Sequence, residues 1–206
     1  MAGAQPAPRN LALHARTVAS STLEPRYAAS NAVDGVVSDD SRWVSRPDDA
    51  LKWIEVDLGA PQSLACAHVY SGWHDEAALG DFSLECWQEG QWRLIPGGQR
   101  SGNTRQAVAL TFDPPVDAQR VRLISTDRGP VRLRELALFG QPVALGAGVV
   151  IPANPLAFPF STNQHLIALN QVGYDTAAPK RFTAKPHSFT HVDTDPVAEI
   201  TEVWTD

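Results

Sequence analysis

The stretch Asn31–Gly59, NAVDGVVSDDSRWVSRPDDALKWIEVDLG, decides how this chain is read. In its second half Ile54, Val56 and Leu58 alternate with Trp53, Glu55 and Asp57. That is the pattern of an extended strand with one apolar and one polar face. Gly59-Ala60-Pro61 should stop the strand, because proline has no amide hydrogen to give to a ladder. The first half crowds Asp34, Asp39, Asp40 and Ser41 together, with Gly35 permitting a bend and Trp43 closing the run. Carboxylates this close repel one another unless solvent or a cation comes between them. A hard cation such as calcium takes ~6–8 oxygens from carboxylates, hydroxyls and carbonyls. The loop suits such an ion. It equally suits a solvated acidic turn, since Asp, Ser and Gly are ordinary turn residues and the EF-hand spacing is absent.

Outward from this stretch, the chain between Asn10 and Gly140 offers short strand-like runs and no long helical period. The runs are Leu51–Leu58, Leu64–Tyr70, Phe82–Trp87, Gln91–Ile95, Gln106–Phe112, Gln119–Ser125 and Val131–Phe139. Turn signals separate them, among them Gln88-Glu89-Gly90, Pro96-Gly97-Gly98, Asp113-Pro114-Pro115 and Asp127-Arg128-Gly129-Pro130. Many short strands at regular spacing predict an all-β fold, an antiparallel sandwich or jelly roll. Cys66 and Cys86 fall on faces that do not favour pairing, and Cys86 reads as a small core residue alongside Phe82 and Leu84.

Asn31-Ala-Val-Asp34-Gly35, Ser41-Arg42-Trp43 and Trp53-Ile-Glu-Val-Asp-Leu-Gly59 together resemble the discoidin domain, also called the coagulation factor five/eight type C domain. Bacterial carbohydrate-binding modules of family 32 share that fold. Asn10-Leu11-Ala12 and Arg134-Glu135-Leu136-Ala137-Leu138-Phe139-Gly140 fit the family's two ends, so the resemblance covers residues 10–140. It implies a galactose-binding-like β-sandwich with a structural calcium ion joining the two ends of the domain. Carried over by motif, the ligands are the Asn31 carbonyl, the side chains of Asp34 and Ser41, and Glu135. The segment between Asp34-Gly35 and Ser41-Arg42-Trp43 is longer than the family's commonest form, so Asp39, Asp40 or the Val36 carbonyl supplies the next oxygen; Asp39 is taken as the candidate.

Saccharide recognition needs a flat apolar surface for the C–H face of a pyranose and side chains that hydrogen-bond its hydroxyls. Trp73 and His74, in Ser71-Gly-Trp-His-Asp-Glu76, supply that combination at a strand end. Asn103 and Arg105, in Ser101-Gly-Asn-Thr-Arg105, lie in another interstrand loop. Galactose-binding members of family 32 resemble this in pairing a loop histidine with a later arginine, as His74 and Arg105 do. The family's aromatic near the last loop is missing from Thr126–Pro130, which argues against a terminal-galactose specificity. An exposed Trp-His turn also serves simply to pack a loop on its own sandwich, and Asn-Thr in a glycine loop is ordinary turn chemistry. Trp43, Trp53, Trp87 and Trp92 flank or lie within strands and read as structural.

Composition bounds the partners. A net charge of -6 and a pI near 5.5 disfavour nucleic acid and anionic membranes. No apolar run approaches the ~20 residues of a bilayer crossing, and residues 1–9 lack the apolar core of a signal peptide. Catalytic motifs are missing as well: there is no Gly-x-Ser-x-Gly elbow, no phosphate-binding glycine loop and no Cys-x-x-Cys. Residues 141–163 form a Pro-rich spacer with much apolar content. Beyond it, Asn170-Gln-Val-Gly-Tyr174 followed by Pro179-Lys180 resembles the start of the immunoglobulin-like domain that precedes the barrel in family-9 glycoside hydrolases. Residues 164–206 are too few for the ~100 of such a sandwich and read as its beginning. His187 and His191, with Asp193 and Asp195 nearby, lack the helix that would bring both rings to one metal, and their spacing reads as incidental.

The expectation is a monomeric, non-catalytic carbohydrate-binding module of a secreted bacterial polysaccharide-degrading enzyme, with a catalytic domain downstream in the parent chain. The rival reading is an adhesion domain of the same family that binds protein or phospholipid.

Overall fold

The computed structural model describes residues 8–74 and 76–152, together with the backbone of 183–184 and 204–205. Alternation of apolar and charged side chains produces strands that bury one face, and seven of them join in antiparallel pairing. They are β1 (Arg16–Ala19), β2 (Trp43–Val44), β3 (Lys52–Ser71), β4 (Phe82–Gln88), β5 (Gln91–Arg100), β6 (Ala107–Ser125) and β7 (Arg132–Phe139). Two short 3-10 turns, Pro25–Tyr27 and Ala29–Val33, lead into the Asp34 loop.

β3 and β6 are long enough to serve both layers. Near its start β3 runs between β1 and β6, and β6 continues the layer to β4 and the edge strand β5. Near its end β3 runs between β6 and β7, with β2 added outside β7. Strands that change layers by bending are the usual corners of a sandwich. Ile54, Val56, Leu84, Val121 and Leu123 from one layer meet Leu64, Val69, Leu110, Leu133 and Leu138 from the other in a continuous core. Trp43 is fully buried there, its indole N–H donating to the Ser21 carbonyl at 2.9 Å.

Pro61 bends β3 without ending it. Pairing with β6 is interrupted between Asp57 and Gln62 and then resumes, with Gly59 taking a positive φ of 78° at the irregularity. The runs expected as Gln106–Phe112 and Gln119–Ser125 are likewise one strand, and β5 carries on through Pro96-Gly97-Gly98 to Arg100. As the outermost strand of its layer, β5 pairs only with β4.

The outer face of the β3–β7 layer is covered too. Cys66, His68, Tyr70, Ala137 and Phe139 are buried there, with Val143 and Val149 packed over Cys66, Ala137 and Phe139. Val36 and Val150 form a bridge beside this cluster, and Gly146 donates its amide to the Tyr70 hydroxyl at 2.8 Å. Both cysteines are free and buried, and burial pushes both thiols above their usual value.

Compact units divide at residues 152 and 153. In the second unit the described backbone is a parallel pair, β8 (Thr183–Ala184) with β9 (Trp204–Thr205). The NQVGY string, Pro179-Lys180 and the His187/His191 pair lie outside the described residues.

Candidate functional site

Two constellations sit on the Asp34–Ser41 loop, one buried and one at the rim. The buried one gathers around Glu135, which has no solvent exposure. Asn10 Nδ2 donates to Glu135 Oε1 at 3.2 Å and the Gly35 amide donates to Oε2 at 3.2 Å. Asp34 lies close enough for its charge to act on Glu135, and the Ser41 hydroxyl donates to the Asp34 carboxylate. Burial pushes the Glu135 carboxyl up to about 8, and Asp34 adds to the rise against the pull of the Gly35 and Asn10 donors. Gly35 has φ 82°, and a Cβ there would stand 2.8 Å from the Leu13 side chain, so glycine is required at this approach.

This donor set fits a hard cation. Glu135 is buried and Asp34 half-buried beside it, and a divalent ion between the two carboxylates would relieve their repulsion. No group of three or more His, Cys, Asp or Glu residues is placed for a metal among the described residues. Asp34 and Glu135 would therefore be supplemented by the Ser41 hydroxyl and backbone carbonyls such as that of Asn31. The Asn31 side chain is spent elsewhere, donating to the carbonyls of Arg26 at 2.8 Å and Arg42 at 3.2 Å.

Asp39, expected beside that ion, faces the rim. Its Oδ1 accepts from Arg134 Nε at 2.9 Å and Nη2 at 2.7 Å, and its Oδ2 accepts from the His74 amide at 2.9 Å. Partial burial raises its pKa, but the bonds from Arg134 and His74, with the charges of Arg134 and Arg42, outweigh that and hold the carboxyl below its ordinary value.

The rim constellation is the Trp73–His74 turn. Trp73 and Glu76 close it by exchanging backbone hydrogen bonds of 2.9 and 3.0 Å. The Trp73 side chain is 43% exposed, and its ring centroid lies 4.5 Å from that of His74 with 39° between the planes. On another side the Arg132 guanidinium lies 5.9 Å from the Trp73 ring. The turn therefore presents an aromatic surface flanked by polar groups to solvent.

Asn103 and Arg105 belong to the loop beside it. Asn103 Nδ2 donates to the carbonyls of Leu79 at 2.7 Å and Arg105 at 2.8 Å, while its Oδ1 accepts from the Arg105 amide at 3.1 Å. Its side chain is thus a brace, and Arg105 is the exposed member of the pair. The next residue, Gln106, reaches across to the Trp73–His74 turn and donates to the carbonyls of His74 and Glu76, each at 2.8 Å. Gln106, Arg132 and Arg134 were not legible as site residues. Their only signal was polarity at strand ends, which does not name a partner.

The other tryptophans keep to the body of the sheet. Trp87 and Trp92 pair edge-to-face at 5.3 Å on the outer face, with Arg120 5.0 Å from Trp87 and Arg122 4.4 Å from Trp92.

Among solved structures the chain is similar to a variant of chitosan-binding module 1 from a chitosanase/glucanase of Paenibacillus sp. IK-5. The two are 25% identical with a TM-score of 0.56, over 65% of this chain and 99% of the module. It is similar also to the family 32 carbohydrate-binding module of C. perfringens NanJ, solved with galactose, at 19% identity and a TM-score of 0.54 over 65% and 98% of the two chains. The lectin domain of lectinolysin, solved with Lewis B antigen, is 24% identical with a TM-score of 0.55 over 65% and 98%. No curated protein sequence matches the chain. These likenesses agree with the sandwich described above. The F5/8 type C domain model spans residues 16–136, more than half of the chain, and the protein belongs to that family.

Proposed function

We propose that the domain is a non-catalytic module that binds carbohydrate through the rim turn, with Trp73 as the stacking platform, His74 and Arg105 as hydrogen-bonding partners, and Asn103 supporting them. The observation that carries this is the 43% exposed Trp73 ring lying 4.5 Å from His74. An apolar face flanked by polar tips is what a pyranose ring requires. Similarity to modules solved as chitosan-binding or with galactose supports the ligand class.

A calcium ion held by Asp34, Ser41, Glu135 and the Asn31 carbonyl would have a structural part, fixing the Asp34 loop to β7. The parent protein on this reading is a secreted polysaccharide-degrading enzyme, and residues 164–206 open an immunoglobulin-like domain before its catalytic unit. Each contact would be weak alone. The benefit lies in raising the enzyme's effective concentration on a polymer.

Electrophoresis through gels containing soluble galactan or glycol chitosan tests the reading. The wild type should be retarded by at least one of these, and Trp73→Ala should run as in a gel without polymer. Retardation of Trp73→Ala equal to wild type, or binding only to phosphatidylserine vesicles run in parallel, would refute it.

A further inference from the structure

His74 is held in an unusual way. Its φ of 49° is left-handed, a region uncommon for residues with a side chain, though His enters it more readily than most. Both of its backbone polar groups are captured by side chains from elsewhere in the fold, Asp39 and Gln106 in loops and Arg134 on β7. The amide donates to Asp39 Oδ2 at 2.9 Å, and the carbonyl accepts from Gln106 Nε2 at 2.8 Å and Arg134 Nη2 at 2.8 Å. Arg134 closes the circuit by donating twice to Asp39 Oδ1 and once, at 3.1 Å, to Gln106 Oε1.

This is more than a surface ion pair. The Arg134 and Asp39 side chains are only 13% and 28% exposed, and the guanidinium gives its hydrogens to three acceptor groups at once. Space confirms the fit. A Cβ on Gly72, whose φ is 102°, would stand 2.5 Å from Gln106 Nε2. The Glu76 carbonyl would stand 2.7 Å from the same Cβ, so the backbone of the closed turn itself requires glycine there, and Gln106 packs into the space.

The same carboxylate also sets the state of the imidazole. His74 Nδ1 lies 3.3 Å from Asp39 Oδ2. A lone pair on Nδ1 would face a negative oxygen, whereas a proton there is attracted to it. A neutral ring would on this account favour its proton on Nδ1, leaving Nε2 as the acceptor.

We propose that Asp39 and Arg134 are positioning residues for saccharide binding. Together they latch the Trp73–His74 turn and fix the His74 tautomer, so that the ligand meets an indole face together with a hydrogen-bond acceptor. The preferred ligand is then a sugar that lays a C–H face on Trp73 while one hydroxyl donates to His74 Nε2. This rests on the sugar reading of the Trp73–His74 turn.

Two measurements decide it. In the wild type, nitrogen NMR of the His74 ring at about two pH units above the ordinary imidazole value of ~6.5 should show the proton on Nδ1. In the galactan and glycol chitosan gels, Asp39→Ala should lose about tenfold in affinity, or ~1.4 kcal/mol, with its His74 proton moved to Nε2. A network that only stabilised the fold would leave the tautomer of a folded variant unchanged. A wild-type ring protonated on Nε2 overturns the proposal without any variant. So does Asp39→Ala bound at wild-type strength while Trp73→Ala is lost. If Trp73→Ala also binds as wild type, the sugar reading itself has failed, which is a different result.

Discussion

Asn10 and Glu135 stand 125 positions apart in the chain, and their side chains meet at 3.2 Å in the interior. Asn10 ties the start of the domain to β7, since its Oδ1 also accepts from the Ala12 amide at 3.0 Å and the Leu138 amide at 3.1 Å. Asn10→Ala should therefore leave two buried amides and one buried carboxyl short of a partner. The expected loss is roughly 2–4 kcal/mol. Urea unfolding should show a lower midpoint at an unchanged slope.

Glu135 provides a test of the cation. Its folded pKa of about 8 lies above the ordinary carboxyl value, so its contribution to stability is present at acid pH and is lost as pH rises toward 8. In chelator near pH 8, Glu135→Gln should melt at least as high as the wild type, because the amide carries no buried charge. Calcium should raise the wild-type melting temperature by several degrees and leave that of Glu135→Gln in place. A wild-type melt indifferent to both calcium and chelator would remove the ion from the account.

His68 should make the fold acid-sensitive. It is fully buried, 4.9 Å from the Phe139 ring, and its Nε2 lies 3.1 Å from the Val143 carbonyl. Burial holds the imidazole below its ordinary value, with the Val143 carbonyl pulling the other way. A depressed base stabilises above the unfolded value of ~6.5 and loses that contribution as pH falls. Because the Glu135 contribution grows over the same range, the His68 effect is read by difference: in calorimetry from about pH 7 to 5 the melting temperature of His68→Gln should rise relative to that of the wild type as pH falls.

Trp87 offers the contrasting case. Its ring lies under the Arg120 guanidinium and meets Trp92 edge-to-face, on strand β4 and not in the rim turn. Trp87→Ala should cost ~1–2 kcal/mol of stability and leave polysaccharide retardation unchanged. Loss of retardation in a variant with a native melt would move the binding surface to the sheet.

Where only one face of a strand is buried, the pattern was readable. Ile54, Val56 and Leu58 against Glu55 and Asp57 announced β3, and Val121-Arg122-Leu123 announced β6. Beyond Pro61 both faces of β3 are covered, so alternation carries no sign of direction. Period-two spacing would put Leu64 on one face with Cys66, His68 and Tyr70, yet it lies in the main core while Cys66 packs on the other side. A register shift between Leu64 and Cys66 exchanges the faces, and nothing in the spacing signals it. At the rim, Trp73 and His74 stood out by type and position. The circuit through Asp39, Gln106 and Arg134 was hidden because it joins residues from three separate loops and strands.

The edge strand β5 bears on how copies of the domain meet one another. Its outer rail is interrupted by Pro96, which has no amide to offer, and it carries Arg93 and Arg100, the latter bonded to its own Gln99 carbonyl at 2.7 Å. A rail broken in this way is a poor template for a neighbour's strand. Copies of the domain brought close together should therefore not join edge to edge through β5.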